Sequence, residues 1–252
     1  MFNICVAIPV KKGDFKEFEV NLKQVLNLKP NLIEFRFDYI DEINKITPDF
    51  LKSILNLTKP DVRSIFTFRD KSEGGQYDQF LPREEQINVV NLLIEAKPEY
   101  LDIEMKSDMD TLREIIKVAS DNDVRLIFSY HDFEKTPSYD ETLGILERFK
   151  DKLLDNHLID FVSFKQVIFK LIFTAQNFED NLVPLKLCEN FTKREKDQGI
   201  ISFCMGEKGI FSRVSCVKIG SFLTFASFED ATAPGQIKVE LLRELQKLLF
   251  NQ

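Results

Sequence analysis

At 252 residues, 44% of them hydrophobic and 30% charged, the chain can fill one large core or two small ones. Its net charge of −7 and lack of a basic run argue against a nucleic-acid partner. The opening MFNICVAIPVKK places its lysines after a short apolar run, the wrong order for a signal peptide and too short for a membrane span, so no membrane partner is expected.

Short apolar runs rich in β-branched residues and Phe recur in chain order: ICVAIPV (4–10), LIEFRFDYI (32–40), RSIFTFR (63–69), EYLDIEM (99–105), RLIFSYH (125–131), VIFKLIFTA (167–175), IISFCMG (200–206) and FLTFASF (222–228). Segments with helical spacing lie between them, among them FKEFEVNLKQVLNLKP, REEQINVVNLLIEAKP, TLREIIKVASDN and YDETLGILERFKDKLL, and LLRELQKLLF closes the chain. Near-continuous apolar strands imply burial on both faces, as in a parallel sheet covered by helices. Eight strands alternating with helices at this length predict a (β/α)8 TIM barrel. No GxGxxG follows the first strand, which weakens a dinucleotide-binding sheet, and no stretch fits the phosphate loop GxxxxGK[ST]. Without a Pro/Gly/Ser-rich linker, residues 1–252 read as one domain.

In a barrel the chemistry sits at the C-terminal ends of the strands. There the sequence places Glu34, Arg36 and Asp38 in alternation, Arg69 and then Glu73 before Gly-Gly, and Asp102 with Glu104. His131, one of two histidines, ends the fifth run, and Lys170 lies among apolar residues of the sixth. A loop with two glycines leads to Ser212 and Arg213, and the eighth run opens into ASFEDATAPGQ, a small-residue loop able to fold over a ligand. Any one of these charges reads more simply as solvated. A single site accounts for them jointly: three arginines for an anion, one lysine in an apolar strand, one histidine nearby. A lysine desolvated among apolar and cationic neighbours gives up part of its preference for the ammonium form. Its amine can form an imine with a ketone, and a histidine can remove the adjacent proton and protonate a leaving hydroxyl. The residues thus point to Schiff-base lyase or aldolase chemistry on an anionic keto compound.

EFRFD, FTFRDKSEGG, SYHDFEKTP, the lysine followed by TAQNFEDNL, MGEKGIFSR and TAPGQ resemble, in this order, the motifs of type I 3-dehydroquinate dehydratases. The resemblance runs from the first strand to near the C-terminus. It implies a (β/α)8 barrel converting 3-dehydroquinate to 3-dehydroshikimate and water, with no metal and no organic cofactor, usually as a homodimer. It assigns the Schiff-base lysine to Lys170, the general acid/base to His131 and the glutamate supporting it to Glu73. It assigns substrate contacts to Glu34, Arg36 and Arg69, the substrate carboxylate to Arg213, and substrate hydroxyls to Thr232 and Gln236. An arginine suits the carboxylate because its planar fork can meet both oxygens.

The segment HLIDFVSFKQVIFK departs from the family's short Asp-x-x-Lys entry and offers Lys165 as a second candidate. Lys165 and Lys170, five apart, face opposite sides of a continuous strand, and the spacing to QNFEDNL favours Lys170. Ala7 stands where the family often carries a serine. His157 is expected to be structural or solvated, Cys204 to be core, and Asp102 and Glu104 to balance the barrel arginines. Cys5, Cys188, Cys204 and Cys216 show no metal or redox spacing and read as reduced thiols of a cytoplasmic protein. Two rivals are another class I Schiff-base aldolase, which lacks the HDFEKTP and TAPGQ pattern, and a catalytically dead barrel that binds a carboxylated polyol. The end at Gln252, just after the final helix, leads us to expect no fused shikimate dehydrogenase.

Overall fold

Helix starts are written locally in the chain. Asp14 accepts from the Lys16 N–H, Thr47 precedes a Pro48 at the first helical position, and Ser138 with Glu141 forms a reciprocal capping box. In the computed structural model, which describes residues 2–158, 167–229 and 231–251, such helices alternate with parallel strands. In chain order these are β1 (Ile4–Pro9), α1 (Phe15–Asn27), β2 (Leu32–Arg36), α2 (Pro48–Thr58), β3 (Arg63–Thr67) and α3 (Arg83–Glu95). Then come β4 (Tyr100–Glu104), α4 (Met109–Asp121), β5 (Arg125–His131), α5 (Tyr139–Asp155), β6 (Ile168–Thr174) and α6 (Leu182–Arg194). The series ends with β7 (Gly199–Met205), α7 (Ile210–Ile219), β8 (Thr224–Ala226) and α8 (Val239–Phe250).

The strands follow the order β7-β6-β5-β4-β3-β2-β1-β8, the neighbour order of a (β/α)8 barrel. Closure between β8 and β7 uses no ladder among the described residues. Phe222 N–H donates to the Ile200 carbonyl (2.7 Å) below, Gly206 N–H donates to the Pro234 carbonyl (3.2 Å) above, and the Phe203 and Phe225 rings meet between them.

Period two splits each strand between two cores. One face, including Ile33, Phe35, Phe66, Phe128, Phe169 and Leu171, packs on the helices. The other, including Leu32, Ile65, Tyr100, Ile127, Ile168 and Ile201, fills the barrel. Phe supplies much of the large buried volume, with Phe35, Phe37, Phe66, Phe128, Phe169, Phe173 and Phe203 fully enclosed. Among the described residues no helix is long and apolar enough to cross a membrane.

Three details differ from the sequence reading. The second strand stops at Arg36, and Phe37–Tyr39 turns as a 3-10 helix, so Asp38 enters the site from a turn. The eighth strand shrinks to Thr224–Ala226. Helices α2, α6 and α7 form where no helix was named, although Thr47-Pro48 is a start signal for the first of them.

Candidate active site

The barrel interior is apolar at its base and charged above it. Strand alternation turns Glu34, Asp102, Ser129 and Lys170 inward, and the register sets Ser129 beside Lys170 and Ala7 beside Glu34. Lys170 is only 4% exposed, and its Nζ lies 2.8 Å from Asp102 Oδ2, 3.5 Å from Glu34 Oε1 and 4.6 Å from the centre of the Phe225 ring. The surroundings anticipated for this lysine were apolar and cationic; two carboxylates reach it as well. Burial works to raise the Asp102 carboxyl, but Arg69 and Lys170 outweigh it and hold the group well below the usual carboxylate range.

The three arginines divide by their partners. Arg36 makes a two-pronged contact with Asp38 (Nε to Oδ1 2.7 Å, Nη2 to Oδ2 2.8 Å), and Asp38 also accepts from the Gln76 backbone. Arg69 pairs with Asp102 (2.8 Å) and Glu104 (2.7 Å) and donates to Ser129 Oγ, which itself donates to Asp102. These pairs stabilise both cations against the desolvation that burial imposes. Asp102 and Glu104 therefore do balance an arginine, and Asp102 serves Lys170 besides.

Arg213 is different. It is 1% exposed, donates to the carbonyls of Pro234 (3.1 Å) and Phe225 (3.5 Å), and lies over the Phe203 ring. Among the described residues no carboxylate comes within salt-bridge distance of it, and its Nε has no hydrogen-bond partner. Burial pulls the guanidinium down to about 10. A buried cation left without a countercharge is costly, and an incoming anion would relieve that cost.

His131 ends β5 with its ring half-stacked on Phe133 and its Nδ1 2.9 Å from Glu73 Oε2, which also accepts the His131 backbone N–H (3.1 Å). Burial, aided by Arg69 and Lys170, pushes the imidazole well below its usual range, so it is neutral at neutral pH. With Nδ1–H donated to Glu73, Nε2 keeps a free lone pair and can act as a base. Burial raises Glu73 to about 7, partly offset by Arg69. Gly74, at φ +86°, lets the loop turn here; an added Cβ would lie 2.5 Å from the Phe133 ring.

A folded carboxyl titrating above its unfolded value contributes stability at low pH that is lost as pH rises toward about 7. Glu73→Gln removes that loss. Its stability relative to the parent protein should therefore rise between about pH 4.5 and pH 7, by on the order of 2–3 kcal/mol, read from paired denaturant titrations. A constant difference across that range would contradict the raised titration.

The nine residues singled out from sequence, namely Glu34, Arg36, Arg69, Glu73, His131, Lys170, Arg213, Thr232 and Gln236, line one cavity. Thr232 and Gln236 hold each other across the TAPGQ loop: Gln236 Oε1 accepts the Thr232 N–H (2.8 Å), and Gln236 Nε2 donates to Thr232 Oγ1 (3.0 Å). The loop can close down on β7 because Gly235, at φ +72°, has no Cβ, which would sit 2.4 Å from the Gly206 carbonyl. Lys165 lies outside the described residues. Cys204 is buried as anticipated, and His157 is exposed just after α5. Ala7 is buried beside Glu34 and offers no hydrogen bond there. Sequence reasoning missed Ser129, two residues from His131 on the same face, and Thr67, which donates to Glu34 (3.0 Å). Period two in FSYH and IFTF would have found both. Among the described residues no group of three His, Cys, Asp or Glu side chains is placed to hold a metal ion.

The family model of type I 3-dehydroquinase matches residues 4–252. The 3-dehydroquinate dehydratase of Clostridium botulinum is 31% identical over 98% of this chain and 92% of its own length. That of Methanococcus maripaludis strain S2 is 31% identical over 97% and 99%. A crystal structure of the type I 3-dehydroquinate dehydratase of Clostridium difficile, 26% identical, matches with a TM-score of 0.81 over 98% of this chain and 92% of that one. The chain belongs to the type I 3-dehydroquinase family.

Proposed function

We propose that this chain dehydrates 3-dehydroquinate to 3-dehydroshikimate through an imine on Lys170, with His131 moving the proton and Glu73 orienting it. The observation that carries this reading is the meeting in one cavity of a buried lysine, a His–Glu pair and a buried arginine with no carboxylate partner among the described residues. The substrate carboxylate takes Arg213, whose planar fork can meet both oxygens. That places the ketone toward Nζ of Lys170. Once the ammonium has passed a proton to a neighbouring carboxylate, the amine adds to the carbonyl, and that proton leaves with the carbinolamine hydroxyl as water, giving a protonated imine.

The imine nitrogen draws electrons from the neighbouring methylene, and neutral His131 takes one of its protons at Nε2. The resulting enamine pushes out the hydroxyl on the carboxylate-bearing carbon, which leaves as water with the proton His131 now carries. Hydrolysis of the conjugated imine frees the product and restores Lys170. Glu34, Arg36, Arg69, Thr232 and Gln236 are assigned to the substrate's polar edge and hydroxyls. Arg69 also neutralises Asp102 beside the lysine, and Arg36 neutralises Asp38. The reaction as written uses no metal and no organic cofactor.

The purified chain, given 3-dehydroquinate, should generate the ultraviolet absorbance of a conjugated enone. Calorimetric binding with no absorbance growth would instead describe a barrel that only holds carboxylates. Arg213→Met should raise KM by roughly 10- to 150-fold, the worth of charge-assisted hydrogen bonds. The same change should stabilise the unliganded fold, because it removes a buried charge that has no carboxylate partner among the described residues. An unchanged KM would move the carboxylate elsewhere.

We further infer that residues 1–252 act as one catalytic domain, in the cytoplasm and as a homodimer. The family resemblance supports this, and sedimentation of the purified chain tests the dimer.

A further inference from the structure

Glu73 uses only one of its oxygens on the histidine. Oε2 accepts from both the backbone and the ring of His131, while Oε1 is buried and makes no hydrogen bond among the described residues. Lys106 lies two residues beyond Glu104, on the loop between β4 and α4. Its Nζ comes 3.4 Å from Glu73 Oε1, off the hydrogen-bonding direction, and is steadied 4.6 Å from the centre of the Tyr130 ring. The lysine side chain is half exposed, so its aliphatic stem leans over the site while solvent reaches its charge.

We propose that Lys106 is a positioning residue that keeps Glu73 anionic and thereby holds His131 in its base-competent tautomer; its catalytic consequence rests on the imine reading above. A carboxylate accepts the Nδ1–H firmly, whereas a carboxylic acid competes by donating its own proton and frees the ring to turn. The charges around Glu73 come from five strands. Arg36 of β2 reaches the Gly74 carbonyl, Arg69 follows β3, Asp102 and Glu104 lie on β4, Tyr130 and His131 on β5, and Lys170 on β6. Arg69 is already shared between Asp102 and Glu104, and Glu104 opposes the Glu73 charge. Among the described residues Lys106 is the cation in salt-bridge distance of Glu73 Oε1, and it also lowers the carboxyl's tendency to take up a proton.

The chain's two histidines make the test direct, since His157 is exposed on the surface and serves as an internal control. Ring-nitrogen signals of histidine-labelled protein, followed by NMR against pH, should show the His131 response to Glu73 titration moving upward in Lys106→Met. The expected shift is roughly half a unit to one unit at low salt, smaller at high salt, with His157 unmoved and Lys106→Arg close to the parent protein. The acid limb of kcat/KM should move up by the same amount, while kcat at high pH stays near that of the parent. A His131 titration that superimposes in Lys106→Met and the parent protein would overturn the role of Lys106. Shifted signals in a chain that turns over no 3-dehydroquinate would uphold the role of Lys106 and remove the proposed reaction.

Discussion

Lys170→Met should lose turnover of 3-dehydroquinate by roughly ten-thousand-fold or more, because no other described side chain in the cavity carries an amine that could form the imine. The same change leaves Asp102 and Glu34 without their shared cation. Asp102 keeps Arg69 at 2.8 Å and the Ser129 hydroxyl, and Glu34 keeps the Thr67 hydroxyl, so part of the network survives. Removing one member of a buried pair costs about 3–5 kcal/mol, so the thermal midpoint should fall as well. Adding Asp102→Asn to Lys170→Met should recover part of that stability and none of the turnover. Recovery of activity in the double variant would place the nucleophile elsewhere.

His131→Ala should separate binding from chemistry. Imine formation depends on Lys170 and substrate binding on Arg213, and both remain. Proton removal loses its base, which is worth roughly 10²- to 10⁴-fold. The variant is therefore expected to bind 3-dehydroquinate, to accumulate its imine and to release product very slowly. In the parent protein the rate should fall as pH drops through about 7, where Glu73 takes up a proton, since the imidazole itself titrates lower still. Near-normal turnover by His131→Ala would remove the histidine from the mechanism.

Much of this was legible before any coordinates because the barrel converts sequence order into geometry. A charged residue at the C-terminal end of an apolar run faces the mouth of the barrel whatever its distance along the chain, whereas Thr232 and Gln236 were marked by the family resemblance alone; all nine residues meet in one cavity. Residue type at each strand end was therefore readable. Period two shows only that Lys165 and Lys170 face opposite sides, and the preference for Lys170 rests on its spacing to QNFEDNL. Pairing was not readable. Arg36, Arg69 and Arg213 look alike in sequence, and only long-range contacts show that Asp38 occupies the first, Asp102 and Glu104 the second, and no described carboxylate the third.

Where chain direction changed, the reading slipped for local reasons. EFRFDY alternates well enough to extend a strand, yet Asp38 gains more by leaving it. From a 3-10 turn its carboxylate caps the Arg36 fork and accepts the Gln76 backbone N–H. FLTFASF, mostly apolar and Phe-rich, reads as a longer last strand than the one that forms. Its flanks are spent instead on closing the barrel, Phe222 toward β7 and Ser227 toward the segment before α8. Lys106 carried no signal, since an exposed lysine after a strand is ordinary and its meaning lies in an oxygen of Glu73 brought from another loop.

The most direct test of the central claim is borohydride reduction of the protein mixed with 3-dehydroquinate, followed by peptide mass spectrometry. The account predicts one reduced adduct, on the β6 peptide at Lys170, with loss of activity in proportion to labelling. An adduct on Lys165, or steady product formation with no adduct trapped, would contradict it.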